Sequence, residues 1–160
     1  MRIVVHAVGR MKVGPERELA DRYFDRFAKA GPAVGLEWAG VVETPESRSA
    51  SAPERKREEA ARLDRLLADG AALVLLDERG KNIGSEEFAA WLGKWRDRGQ
   101  RDLVIAIGGP DGHAPELGQK ADLALSFGAL TWPHQLARVM LAEQLYRAAS
   151  IAAGHPYHRS

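Results

Sequence analysis

Cysteine is absent from the 160 residues. Neither disulfides nor thiolate metal sites are therefore open to this chain, which suits a reducing compartment. An excess of one charge is also missing, since 23 Lys and Arg face 22 Asp and Glu, a formal net charge of +1. A protein that grips nucleic acid by its own field shows a basic excess. A chain without one acts on nucleic acid by recognising a preassembled surface or by pooling more than one subunit. No apolar run approaches bilayer length, and the opening MRIVVHAVGR has neither an h-region nor a small-residue cleavage site. Internal repeats and low-complexity tracts are lacking too. What remains is the expectation of a soluble, cytoplasmic protein folded as one domain over residues 1–160.

What is present alternates. An apolar, β-branched run at 3–8 ends at Gly9, and a helix is expected over 15–29 with Pro15 in its first turn. A strand over 36–42 leads into the polar stretch ETPESRSASAP, where residues 43–52 are the longest flexible candidate. A second helix opens at Pro53, carries Ala60, Leu63 and Leu67 on one face, and closes at Asp69-Gly70. Between Glu43 and Asp69 six basic residues meet seven acidic ones, the pattern of a solvated helix face laced with ion pairs. A strand at 72–76 meets an acidic residue and a turn, and Ser85 is placed as the N-cap of a helix with Phe88, Trp91, Leu92 and Trp95 as its stripe. A strand at 103–107, the short segment APELGQKA and the weaker strand LALSFG follow. Strands alternating with helices point to an α/β fold with a mostly parallel sheet and helices on both faces. The last helix, 133–153, is apolar or alanine almost all round, as expected if it packs on the sheet with one side and on a partner subunit with the other.

Chemistry is expected at strand ends. Gly108-Gly109-Pro110-Asp111-Gly112 follows a strand's carboxyl end, where open α/β sheets place ligands. It lacks the Gly-Lys-Ser/Thr ending of a phosphate loop and the G-x-G-x-x-G spacing, so it reads either as a plain tight turn or as a backbone surface for a close ligand. SFGALTWPHQL leaves a second strand, and Leu75-Leu76-Asp77 ends a third. Converging, these loops would offer Leu76, Leu130 and Trp132 to an adenine ring and backbone amides to its edge. The ending AGHPYHRS gathers His155, Tyr157, His158 and Arg159 behind a proline. Proton transfer, base stacking and phosphate contact fit it better than metal, and no metal is expected. His6 reads as a packed core histidine, Trp91 and Trp95 as core, and His113 and His134 as capping or turn residues.

At LLDERGK, IGGPDG, LTWPHQLARVMLAEQLYRA and HPYHR the chain resembles the ribosomal RNA large-subunit methyltransferase H family, a branch of the SPOUT methyltransferases. The resemblance runs the full length and is densest from residue 71 onward. It implies an α/β fold with the C-terminal segment threaded into a trefoil knot, working as a homodimer. It implies S-adenosyl-L-methionine as cofactor and, as reaction, N3-methylation of a pseudouridine in an intersubunit hairpin loop of large-subunit RNA on the assembled ribosome. Carried onto matching positions, the cofactor site comprises Leu76, Gly109, Gly128, Ala129, Leu130, Thr131, Trp132 and Pro133. His158 is then the expected proton acceptor, with Tyr157 positioning the base and Arg159 holding phosphate or the developing anion. The competing readings are a SPOUT enzyme for transfer RNA, a non-catalytic ribosome-binding factor, and a flavodoxin-like nucleotide binder.

Overall fold

Five runs of aliphatic and β-branched residues form the strands β1 (Arg2–Val8), β2 (Glu37–Thr44), β3 (Ala72–Lys81), β4 (Asp102–Ile107) and β5 (Leu123–Leu125). The structure, a computed structural model, describes residues 1–67 and 70–159. The strands lie in the order β2-β1-β4-β3-β5, every pair parallel. Parallel neighbours cannot be joined by tight turns, so crossovers are required. α1 (Pro15–Ala30), α2 (Ala52–Leu67), α3 (Ser85–Asp97) and α4 (Pro115–Lys120) supply them, and α5 (His134–Ala152) follows β5. Among the described residues no helix is long and apolar enough to cross a membrane.

Side chains alternate between the two sheet faces. Leu103, Ile105 and Ile107 of β4 join Ile3 and Val5 of β1 against α1, α3 and α5. Val104 and Ala106 join Leu73 and Leu75 of β3 on the other face, against Leu63 of α2 and Leu117 of α4. Both faces are thus covered, as an all-parallel sheet demands. Burying each such aliphatic side chain contributes roughly 1.5–3 kcal/mol. His6 points to the α2 face, 2% exposed, as expected of a core histidine. Trp91 and Trp95 pack partly buried against the larger core, their rings 5.4 Å apart.

Three local expectations are corrected. β3 does not stop at Leu76 for a turn but runs to Lys81, which pairs with Leu125 of β5. Gly80 makes this possible, because a Cβ there would lie 2.6 Å from the Ala124 carbonyl. The N-cap of α3 is Gly84, not Ser85, whose hydroxyl donates instead to Gln144 Oε1 on α5 at 2.7 Å. Residues 43–52 are tied down: the Ser47 amide donates to Glu59 Oε1 (2.9 Å), Ser49 Oγ donates to Glu58 Oε1 (2.6 Å), and Arg62 donates to the Pro45 carbonyl. α5 is buried on more than one side within a single chain, since α1 and α3 flank it and cover Leu141, Ala142, Leu145, Ala148 and Ala149. α2 follows its expected stripe to Leu67, while the expected closure at Asp69 lies outside the described residues.

Candidate functional site

Parallel strands end at one edge of the sheet, so the loops after β3, β4 and β5 share that edge. They enclose an open cleft of about 380 Å³, within the range of small-molecule sites. Its walls are Leu76 to Arg79 from β3, Ile107 to His113 after β4, Leu125 to Trp132 in part after β5, and His134 and Ala137 from the first turn of α5. Of the residues expected there, Leu76, Gly109, Gly128, Leu130, Thr131 and Trp132 line the cleft. Ala129 and Pro133 stand in the same loop, with Pro133 as the N-cap of α5, but do not line it.

The loop after β5 is held by its own hydroxyls. Ser126 Oγ accepts the Gly128 amide (3.1 Å) and lies 2.9 Å from the Gly128 carbonyl, and Thr131 Oγ1 donates to Glu78 Oε2 (3.0 Å). Gly128 turns at φ +118°, a conformation side chains rarely adopt. Leu130 and Trp132 are left 72% and 42% exposed.

The glycine loop rests on groups the sequence left unassigned. His113 Nε2 donates to the Leu76 carbonyl at 3.0 Å, fixing the middle of β3 to the loop rather than capping a turn. Burial pushes its imidazole down, and the Leu76 bond only partly offsets this, so the ring is neutral. Arg55 of α2 grips Asp111 through Nε (2.7 Å) and Nη2 (3.1 Å), and these bonds hold the aspartate below the usual carboxylate range. Glu59, 7% exposed, stands behind Gly109, where a Cβ would lie 2.9 Å from Oε2. Lys56 borders the cleft from the same helix. A local charge count in α2 shows balanced acids and bases. It carries no signal that Arg55 and Glu59 reach about fifty residues along the chain.

The C-terminal residues are elsewhere. Tyr157 donates to Glu143 Oε1 (2.9 Å), its ring packs tilted against Tyr146 (4.6 Å between centroids, 54° between planes), and Arg147 lies 4.8 Å over its face. Burial pushes the Tyr157 hydroxyl well above its ordinary range, and bonds with Tyr23 and Glu143 add to the effect, so it remains a donor. His158 lies between Arg147 Nη1 (3.3 Å) and Glu86 Oε1 (3.4 Å). Arg159 is exposed. None of these three residues lines the cleft of its own chain.

An all-parallel α/β sheet whose main-chain loops form a nucleoside-sized cleft defines the class to which the comparisons also lead. A family model described as predicted SPOUT methyltransferase matches residues 1–158. The ribosomal RNA large subunit methyltransferase H of Brucella anthropi is 66% identical over 160 residues, covering all of both chains, and that of Mesorhizobium japonicum is 66% identical over the same span. A probable methylase family protein from Haemophilus influenzae superposes with a TM-score of 0.52 at 15% identity, covering 99% of this chain and 70% of that one, a likeness of fold. The chain belongs to the ribosomal RNA large subunit methyltransferase H family.

Proposed function

We propose that this protein is a cytoplasmic homodimer that transfers a methyl group from S-adenosylmethionine to large-subunit ribosomal RNA, at N3 of a pseudouridine in an intersubunit hairpin loop of the assembled ribosome. The observation that carries this reading is the cleft of three strand-end loops in a chain 66% identical, end to end, to relatives of that name. The residues present fit the donor. Leu76, Ile107, Leu130 and Trp132 offer apolar faces to a purine, and Gly108, Gly109 and Gly128 leave main-chain groups bare for its edge. Asp77 and Glu78 border the same cleft with carboxylates suited to a cationic ligand. Bound there, S-adenosylmethionine supplies an electrophilic methyl on a sulfonium.

The chain's own groups do the rest. The loops orient the donor and exclude water from the line of transfer. The acceptor N3–H bond must break as the new N–CH₃ bond forms, and its proton passes to the His158 imidazole. Tyr157, its hydroxyl committed to Glu143, positions the base with its ring, and Arg159 holds phosphate or the anion that develops on the ring. Since the tail is anchored to Glu143, Arg147 and Glu86, a partner's tail completes each cleft in this reading. Exposed Leu130, Trp132 and Leu136 provide apolar surface for that partner. The trefoil knot belongs to the same proposal. It is supported by the segment after β5 lying along the β3 extension, where the Ser126 amide donates to the Lys81 carbonyl (2.9 Å).

The test is labelling of assembled ribosomes with methyl-labelled donor, before and after pseudouridine formation, using wild type and His158→Ala. Label should enter only pseudouridine-bearing particles, and His158→Ala should slow single-turnover transfer at least 10-fold with donor affinity kept. Label in free transfer RNA alone, or particle binding without any donor binding, would replace this reading with another. A wild-type rate in His158→Ala would remove the tail from the chemistry.

A further inference from the structure

The β1–α1 loop, residues 9–14, is fixed far more firmly than its polar composition requires. Met11 is 5% exposed and plugs the core. Its amide donates to Glu43 Oε1 (3.0 Å), and its carbonyl accepts from Arg17 Nη1 (3.1 Å). The same Glu43 oxygen accepts from Arg138 Nη1 (2.5 Å), and Arg138 Nη2 reaches the Gly9 carbonyl (3.4 Å). Burial opposes ionisation of Glu43, but the bonds from Arg138 and the Met11 amide outweigh it and keep the carboxyl below its ordinary range. Arg138 is itself buried in the body of α5. A largely buried ion pair of this kind yields little net stability. What it does yield here is geometry, because it locks one short loop to β2 and to α5.

That loop packs nothing on its outer side. With Met11 turned inward, Arg10 and Lys12 are exposed, Val13 is 89% exposed, and neither cation has an acidic partner within salt-bridge distance among the described residues. Its position is at the site. β1 and β4 end together, Ala7 paired with Ile107, and Val8 Cγ1 would lie 3.1 Å from a Cβ on Gly109. Arg138, which holds the loop, directly follows Ala137, which lines the cleft. Two unpaired cations and a bare aliphatic side chain thus stand on a fixed backbone beside the donor loops, in a protein with almost no net charge.

We propose that residues 10–13 form a preformed docking surface for the RNA backbone next to the target base: Arg10 and Lys12 each take a phosphate, and Val13 packs on an adjoining sugar or base. This rests on the RNA-methylating reading above. RNA is the partner the observations favour because the exposed groups are cations with one apolar contact. Fixing the backbone that carries them in advance also removes the loop's share of the ordering cost of binding.

The experiment is co-sedimentation of the full-length dimer with purified ribosomal particles across a salt series, a readout that needs no turnover, with S-adenosylhomocysteine affinity and subunit association measured alongside. Arg10→Ala/Lys12→Ala should weaken particle binding at least 10-fold at low salt and flatten the log–log salt dependence by about 1.5, since each phosphate left unneutralised lowers the slope by roughly 0.7–0.9. Ligand affinity and dimerisation should not change, and Arg10→Lys/Lys12→Arg should restore the salt slope. Glu43→Ala, which removes the acceptor that fixes the loop but keeps both cations, should weaken binding while leaving that slope as in wild type. Unchanged binding and slope in the alanine double variant overturn the proposal. So does a matching loss of dimerisation or ligand affinity, which would assign the loop to the subunit interface or the donor site. If wild type fails to methylate particles yet binds them through this loop, the proposed reaction falls and the docking surface stands.

Discussion

Gly109→Ala tests whether the donor loop is positioned from behind by α2. The added Cβ would lie 2.9 Å from Glu59 Oε2, 3.1 Å from Val8 Cγ1 and 3.3 Å from Glu59 Oε1. Ordinarily the end of a glutamate side chain swings away at little cost. This one is 7% exposed, and its Oε1 is held by the Ser47 amide at 2.9 Å. Moving it strands a buried carboxylate or an amide, so the substitution carries the cost of overpacking, about 2 kcal/mol. For a chain of this length that lowers the melting temperature by roughly 4–8 °C. S-adenosylhomocysteine affinity should fall with it, because the alternative to moving Glu59 is displacing the loop itself. Glu59→Asp draws the carboxylate back by one methylene and makes room. In a double-mutant cycle followed by urea unfolding and calorimetry, the pair should therefore cost at least about 1 kcal/mol less than the sum of the single variants. Gly112→Ala is the control: at φ +78° with nothing within 4 Å of its Cβ, it strains the backbone alone, and Glu59→Asp should not relieve it. Additivity of Gly109→Ala and Glu59→Asp within about 0.5 kcal/mol would refute the buttress.

Tyr157→Phe removes the bond to Glu143 but keeps the ring on Tyr146 and under Arg147; single-turnover methylation should slow several-fold with ligand affinity unchanged, and a wild-type rate would show that this bond does not set the tail's position. His6 gives an acid limb to stability: burial, then the nearby His113 and Arg62, lower it from 6.5 to about 4. The unfolded chain thus binds a proton that the fold refuses, so up to roughly 3 kcal/mol present above pH 6.5 should be lost as pH falls toward 4. Urea unfolding at pH 7 and pH 5 should show the loss, and His6→Gln should flatten it, whereas an equal slope in that variant would place the acid sensitivity elsewhere.

The strands were legible because strands buried on both faces read as continuous apolar runs, closed by glycine after Leu103 to Ile107 and by an acidic residue after Ala72 to Leu76. The extension of β3 past Asp77, Glu78 and Arg79 was not, because pairing skips these residues and resumes at Lys81 only where Gly80 lets Ala124 approach. The strand-end rule located the loops that carry Leu76, Gly109, Gly128, Leu130, Thr131 and Trp132, residues that the resemblance singled out and that line the cleft. It could not find Glu59, Arg55 or His113, whose roles come from contacts across the sheet edge. Nor could composition separate a loop that is polar and loose from one that is polar and bonded. Residues 43–52 look like the first and are the second, since α2 supplies the acceptors and donors their backbone needs.

The length of α5 explains why donor and acceptor chemistry would be divided between subunits. His134 and Ala137 sit in the cleft wall, in the first turn of a 19-residue helix whose far end releases the tail. At about 1.5 Å per residue its far end is roughly 27 Å from the cleft. The tail folds back only as far as Glu143, Tyr146 and Arg147, which still leaves about two to three helical turns between Tyr157 and the donor loops. Reaching its own cleft would require giving up the Glu143 bond, the Tyr146 contact and the Arg147 cation–π contact together. An apposed second chain requires none of these to break. It would also cover the apolar groups left bare at the cleft's edge, Leu130, Trp132 and Leu136. In the proposed dimer the same helix that keeps the tail away from its own site would present it, already ordered, to the partner's.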